Sequence, residues 1–391
     1  MAGALAGIKV IEMGGGVSAP FCGKLFSDYG AEVIKVEPPE VGDPSRKWGP
    51  FPGDVADIEK SGVFHCLNTN KKSVVLDVNV PSDREKLVAL IATADVLIEN
   101  NTPQQMRNLG LDYDCLQDVN PRLVMVSITP YGQTGPYADW KATDLNAYHL
   151  TGASSRYCGL PGEAPLEHGT FAADYFGAVS GASWGLAAVY GRKNTGVGQH
   201  VDVSSAEAIA ATFVGGQNIG GYAQDGKFEK RTGVGMPLGA PATIVPCKDG
   251  HVWMLALEPG QWNGIAKVMG DPEWMQTEMF QDMFSRAQNA DLIYPLIEEW
   301  TMKHGKHEIM EKCQAAGAPV SAVFTVAEAA EHPHLSERGY MLELDHEALG
   351  KVRLLGAPFK LSETPGGPTS SAPLLGADTQ EVLAGLRAEA P

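Results

Sequence analysis

Short apolar runs separated by helical stretches dominate the first third of the chain. Segments 8–12 (IKVIE), 32–37 (EVIKVE), 73–77 (SVVLD), 95–99 (DVLIE) and 123–127 (LVMVS) are the candidate strands. That pattern predicts a parallel sheet covered on both sides by the helices between its strands, an α/β, Rossmann-like large domain. Segment 171–190 (FAADYFGAVSGASWGLAAVY) differs: it is small or apolar on every side and long enough for about five helical turns, so it predicts a helix buried all round. A Gly-rich turn, a short strand and a new helix start follow it within 191–208.

The texture changes near residue 226. Residues 227–231 are charged, 232–241 are rich in Gly and Pro, and a helical region with Trp and Met runs to about 323, with 251–255 (HVWML) as a strand. The boundaries drawn from this are a large domain over 1–225, a smaller α+β domain over 226–325, and a return to the large domain over 326–391. In the return segment, 339–344 and 350–356 read as a hairpin. A last helix near 378–387 carries Val382, Leu383 and Leu386 along one face.

Composition narrows the function. The chain has 391 residues, enough for two cores, and 44% hydrophobic with 20% charged residues is ordinary for a soluble globular protein. A net charge of −17 argues against nucleic-acid or anionic-membrane partners, which need clustered Lys and Arg. Six cysteines (Cys22, Cys66, Cys115, Cys158, Cys247, Cys313) form neither a C-x-x-C pair nor a metal-like cluster, so they read as reduced structural thiols in a cytoplasm. The N-terminus has no signal-peptide pattern. The Gly-rich 172–190 stretch, which contains Asp174, is the one apolar segment of near-spanning length and does not read as a membrane helix.

Two places carry candidate chemistry. Gly14, Gly15 and Gly16 follow the first strand and precede a helix, which makes an anion-binding corner whose N–H groups face outward. The G-x-G-x-x-G spacing is missing, although Glu37 lies where a ribose-binding acid would, so a nicotinamide cofactor is not expected. The Pro- and Gly-rich stretch 37–54 reads as a long loop, in which Arg46 and Lys47 are the only basic residues between Lys35 and Lys60. The second place is Asp174, the only charged residue between Glu167 and Arg192. A first-turn acid is stabilised by the helix dipole, which alone would account for it. A carboxylate kept ionised there between apolar walls is also poorly solvated and can act as a nucleophile on an activated acyl group.

The Asp174 run and the 191–208 segment, the glycine corner, 67–73 (LNTNKKS) and 361–365 (LSETP) together resemble the family III CoA-transferases over nearly the whole chain. That group includes formyl-CoA:oxalate and carnitine CoA-transferases and the alpha-methylacyl-CoA racemases. The resemblance implies a ring-shaped chain in an interlocked dimer, either a homodimer or a heterodimer with a homologous subunit. It implies CoA as a substrate, with no permanent cofactor and no metal. Asp174 is then the nucleophile, forming aspartyl anhydride and aspartyl-CoA thioester intermediates, and a glycine loop containing Gly233 and Gly235 covers them. Expected CoA contacts are Val17, Ser18 and Ala19 at the corner, Arg46, Lys71 and Lys72, Asn100 and Arg107, and Lys141. Two lysines before an edge strand also discourage edge pairing, so Lys71 and Lys72 keep both readings.

Two positions depart from the family. Racemase-like members carry a His where Thr143 stands, and two-sided proton exchange needs two acid/base groups. His149 and His168 are the nearest substitutes, and each also reads as a packing residue. Asn108 takes the place of an Arg, beside Arg107. The sequence therefore favours transfer of CoA from an acyl-CoA, with succinyl-CoA a candidate donor, to a carboxylic acid. An alpha-methylacyl-CoA racemase and a non-catalytic structural subunit remain the alternatives.

Overall fold

The computed structural model describes residues 3–167, 169–212, 219–227, 231 and 239–389. The chain divides into two compact units. One comprises Met1–Ser154, Glu167–Phe228 and His334–Pro391, and the other Ser155–Leu166 with Glu229–Pro333. The units thus break at 228 and 333, where the sequence reading breaks at 225 and 325, and the smaller one also takes 155–166. Arg231 donates to the carbonyls of Leu160 and Glu163 and so ties that segment in.

The large unit begins with β1 (Lys9–Met13), α1 (Ser18–Ser27), β2 (Glu32–Glu37), α2 (Gly62–Leu67), β3 (Lys71–Val75), α3 (Pro81–Ala92) and β4 (Val96–Glu99). It continues through α4 (Pro103–Leu109), α5 (Tyr113–Val119), β5 (Val124–Thr129), α6 (Asp144–Leu150), the start of α7 (Ala153–Tyr157), whose last three residues belong to the smaller unit, then α8 (Ala172–Thr195), β6 (Gln199–Ser204), α9 (Ser205–Ile209) and α10 (Gly220–Asp225). Its six strands pair in parallel in the order β3-β2-β1-β4-β5-β6. The two-residue period of the strands sorts their apolar side chains onto two cores. Val10, Val33, Val96, Ile98, Val124 and Val126 face Phe26 of α1 and Ala178 and Ala188 of α8. Ile11, Ile34, Leu97 and Met125 face Leu87, Leu90 and Ile91 of α3 and Leu116 of α5.

In the smaller unit, β7 (Ala242–Cys247), β8 (Gly250–Leu255) and β9 (Val320–Ala322) form an antiparallel sheet. Helices α11 (Pro259–Val268), α12 (Met283–Gln288), α13 (Ala290–Thr301) and α14 (Lys306–Ala315) accompany it, and its core gathers round Trp262, Ile265, Ile293, Ile297 and Ile309. Buried Arg286 stacks on Trp262 and donates to four backbone carbonyls, those of Ala240, Ala256, Phe280 and Gln281. Short helices α15 (Val326–Ala330) and α16 (Pro333–Glu337) lead to the hairpin β10 (Met341–His346) and β11 (Gly350–Leu355) and to α17 (Thr379–Glu389). In α17, Val382, Leu383 and Leu386 pack on the α3 side of the large core.

Two expectations change. The helix read as buried all round is α8, and only one face of it is covered. Gly177, Gly181 and Gly185 recur at four-residue spacing and let the helix lie directly on β5. A Cβ at Gly181 would come within 2.8 Å of Ile128 Cδ1, and one at Gly185 within 2.9 Å of Val126 Cγ2. On the other side Trp184 and Tyr190 are 67% and 68% exposed, with Val179 and Leu186 also open. The third strand, in turn, starts at Lys71 rather than Ser73, because Lys71 pairs with Val33 in register and its ammonium reaches a buried carboxylate one strand further in. Among the described residues, no helix is long and apolar enough to cross a membrane.

Candidate active site

The strand order of the large sheet reverses between β1 and β4, and a crevice opens beyond the carboxyl ends of strands where such a reversal occurs. Residues just past both ends, Gly14 to Ser18 and Asn100 to Thr102, line a cavity of about 950 Å³. Trp48, Tyr131, Trp140, Lys141, Asp144, Phe171 and Asp174 complete its walls.

The glycine corner is closed inward. The Gly15 N–H donates to Asn100 Oδ1 at 3.0 Å, and the Gly16 N–H to Asp43 Oδ1 at 3.0 Å. These two donors are therefore used within the protein, which corrects the outward-facing anion corner read from the sequence. At the mouth of α1 itself the N-cap residue, Val17, makes no side-chain capping bond. Space dictates the glycines: a Cβ at Gly14 would lie 2.5 Å from that of Ala19, and one at Gly15 2.6 Å from Pro44 Cδ.

A chain of buried charges holds the corner from below. Lys35 bridges Glu12 at 2.7 Å and Asp43 at 2.6 Å and donates to the Gly14 carbonyl, and Lys71 bridges Glu12 at 2.7 Å. Neighbouring Arg46 pairs with Glu37 at 2.7 Å and Glu59 at 2.8 Å and lies over the Phe64 ring. Each of these cations is matched by carboxylates, which is what allows it to be buried.

Asp174 sits on the first turn of α8, half-buried in the cavity wall. The helix residue before the first turn, Phe171, offers no capping side chain, so Asp144 at the start of α6 supplies the acceptor. Its carboxylate accepts the Asp174 N–H at 2.9 Å and also the Ala173 N–H. First-turn N–H groups that would have stabilised an ionised Asp174 are thus turned toward a second carboxylate. Burial and the Asp144 charge push the Asp174 pKa up to about 7, and the neighbouring Ser18 side chain pulls the other way. The expectation that the helix end keeps this acid firmly ionised is corrected accordingly. Burial also raises Asp144 above the usual carboxylate range, an effect opposed by the two backbone donors and assisted by Glu167. Trp48 stacks on Phe171 at 5.4 Å, and both rings line the same cavity as Asp174.

The sequence profile of CoA-transferase family III matches residues 5–379. The chain belongs to CoA-transferase family III. Similar proteins include a succinate–glutarate CoA-transferase of Agrobacterium fabrum, 31% identical over 98% of this chain and 95% of that one. A succinyl-CoA–D-citramalate CoA-transferase of Chloroflexus aurantiacus is 30% identical over 97% and 93%. A crystal structure of a CAIB/BAIF family protein from Brucella suis superposes with a TM-score of 0.87 at 29% identity, covering 99% of this chain and 100% of that one.

Within this transferase, Val17, Ser18, Asn100, Lys141 and Asp174 line one cavity. Ala19 lies fully buried under Gly14. Arg46 and Lys71 do not line the cavity, and with side chains at 0% exposure and their charges matched internally they have no free face for a CoA phosphate. Lys72 pairs with Glu32 and Glu381 at the surface, and Arg107 with Asp139 at 3.0 Å, both outside the lining. Gly233, Gly235 and His168 lie outside the described residues. His149 is exposed, bonded to Ser154 and not in the lining. The sequence reading missed Asp43, Trp48, Asp144 and Phe171 as parts of the site. For Asp43 a signal existed: Asp-Pro-Ser is a side-chain-capped turn, and Asp43 accepts from the Ser45 N–H and hydroxyl. Nothing local marks Trp48 or Phe171, which meet only in the fold.

Proposed function

We propose that this transferase moves CoA reversibly from an acyl-CoA, succinyl-CoA among the donors, to a free carboxylic acid, with Asp174 as the covalent nucleophile. The observation that carries this is a half-buried carboxylate of raised pKa in the wall of the strand-end cavity. A carboxylate with a higher pKa is the better nucleophile, provided it is ionised when it attacks. Asp174 attacks the thioester carbonyl and forms a mixed anhydride, expelling the CoA thiolate. The thiolate returns to Cγ of Asp174, giving the aspartyl-CoA thioester and releasing the donor acid. The acceptor carboxylate attacks that thioester and displaces thiolate, which then takes the acyl group from the second anhydride and regenerates Asp174. Covering the anhydride from water falls, on this reading, to the glycine loop at Gly233 and Gly235. Val17 and Ser18, with Asn100 and Lys141, form the CoA side of the proposed site, and Ala19 supports them from beneath.

Thr143, at the position where racemase-like members carry His, spends its hydroxyl on Asn146 Oδ1 at 3.0 Å, which favours transfer over racemisation. For assembly we propose the interlocked dimer. The open apolar face of α8 is a surface that needs covering, and relatives include subunits named alpha and beta of a Chloroflexus succinyl-CoA–L-malate CoA-transferase. Six free cysteines suit a reducing cytoplasm.

The test is to incubate the purified protein with acetyl-, formyl- and succinyl-CoA, add hydroxylamine, and search its peptides by mass spectrometry for a hydroxamate. Modification confined to Asp174 is expected. An unmodified Asp174 with every donor sinks the proposal. Deuterium uptake at the acyl α-carbon would then point to the racemase, and activity only on mixing with a second chain to a structural subunit.

A further inference from the structure

Hairpin β10–β11 has few buried side chains to hold it: between Met341 and Leu355 only His346 and Leu354 are enclosed. His346 meets His65 of α2 edge to face, with ring centroids 4.1 Å apart, and both residues are buried. Hydrogen bonds decide which nitrogen of each ring carries the proton. His65 Nε2 lies 3.1 Å from the Glu59 carbonyl, which only accepts, so that nitrogen is protonated. Its Nδ1 is enclosed and has no partner, and a second proton there would be a buried donor without an acceptor. His346 Nδ1 accepts the Ala348 N–H at 3.1 Å and is therefore bare, and a proton on it would break that bond. Both rings are neutral as docked, and their partners resist a further proton on either.

The charges facing the pair add to that resistance. Buried Arg46 bonds the Glu59 carboxylate at 2.8 Å, and the other oxygen of that carboxylate takes the Leu375 N–H at 3.0 Å. Glu59 is thus already spent, and Glu347, exposed beside His346 in sequence, is the other carboxylate that acts on the pair. Burial, followed by the partner ring and Arg46, lowers His65 to about 4; burial lowers His346 as well, opposed by Glu59 and Glu347. We propose that the His65–His346 contact is an acid-operated latch, which fastens hairpin β10–β11 to α2 while both rings are neutral and releases it when either takes a proton. The inference does not depend on the chemistry at Asp174. Release stays local, because the chain beyond the hairpin is tied down by groups that do not titrate near neutrality. Tyr29 Oη donates to the Phe359 carbonyl at 2.7 Å and accepts its N–H at 3.1 Å, and the Gly367 N–H donates to the Asp28 carbonyl at 2.7 Å. A two-stranded hairpin without its docking contact is marginal in water, so the amides of β10 and β11 report the release. Released rings bind protons at the ordinary histidine value of 6.5 and docked rings resist them, so docking is at full strength above that value and weakens as the pH falls toward about 4.

The experiment is hydrogen–deuterium exchange of the full chain, read by mass spectrometry at pH 7 and pH 5, with rates corrected for the intrinsic effect of pH on amide exchange. Protection of 341–355 should fall about 10-fold or more at pH 5, while α3 and β4 in the large core keep theirs. The His65→Phe/His346→Phe double variant retains two packed rings that take no proton, and its hairpin should lose no protection on acidification. Exchange at the imidazole C2 hydrogens of the wild type, measured in the same way, reports the titration of each ring and should place both below 6.5 even if the double variant does not fold. Wild-type hairpin protection that is unchanged at pH 5 overturns the inference. So does an equal loss in the double variant, which would assign the effect to Glu59 or Glu347, and so do rings that titrate at or above the ordinary histidine value.

Discussion

Replacing Asp174 by Asn should stabilise the folded protein, and should do so only as the pH rises. Burial and Asp144 lift this carboxyl from 3.8 to about 7, so between those values the folded state holds a proton that the unfolded chain has lost. Stability then falls with rising pH through that window and levels off above the folded pKa. A rise of that size corresponds to a ceiling of about 4 kcal/mol. Because the side chain is half-buried, screening by water reduces the expected value to about 2 kcal/mol. The amide has the same shape and no charge, so it avoids this cost. Urea unfolding of wild type and Asp174→Asn, followed by tryptophan fluorescence at intervals from pH 4 to 8, measures the difference. Only its pH-dependent part counts, since the amide's own effects are constant. The Asn variant should gain about 2 kcal/mol on wild type between pH 4 and 7. A flat difference, or a wild type that gains on the variant with rising pH, would mean that the helix end does stabilise the ionised acid and that the capping role of Asp144 has been misjudged.

Further outcomes are expected. The acid limb of kcat/KM should lie near pH 7, the ionisation of Asp174, and Asp144→Asn should move it down by about one pH unit, since the amide oxygen still accepts the backbone N–H but the like charge is gone; a stationary limb in the pH–rate profile would exclude the coupling. Arg46→Ala leaves Glu37 unpaired in the interior and should cost about 3–5 kcal/mol in denaturant titrations, whereas Lys141→Ala should leave stability unchanged and raise KM for the acyl-CoA about tenfold. Gly181→Val drives a side chain into Ile128, 2.8 Å from where its Cβ would sit, and should lower unfolding free energy by about 1–3 kcal/mol through overpacking. A Tm equal to wild type would show that α8 does not rest on β5 there.

What the sequence determined by itself follows from local periodicity and from rare local chemistry. Short segments rich in Val, Ile and Leu located the parallel strands to within two residues, because strands covered on both faces draw on such residues. The apolar face of the last helix was legible for the same reason, and Asp174 stood out because a charge in an otherwise uncharged stretch of that length is expensive to bury without a purpose. Tertiary structure decided which charges are available. In the sequence Arg46 and Lys71 are simply cations near a glycine corner. Their carboxylate partners Glu37 and Glu12 lie 9 and 59 residues away, and only the pairing of β1, β2 and β3 shows that they are spent in the interior. It also decided the surroundings of Asp174. A first-turn acid reads as dipole-stabilised until Asp144, 30 residues upstream, is found on the N–H groups that would have done the stabilising. Finally it decided which side of α8 is core, since hydrophobicity on every side specifies burial but not by what. The glycine stripe selects the face that touches β5 by steric fit, a property of two surfaces in contact that no single stretch of residues contains.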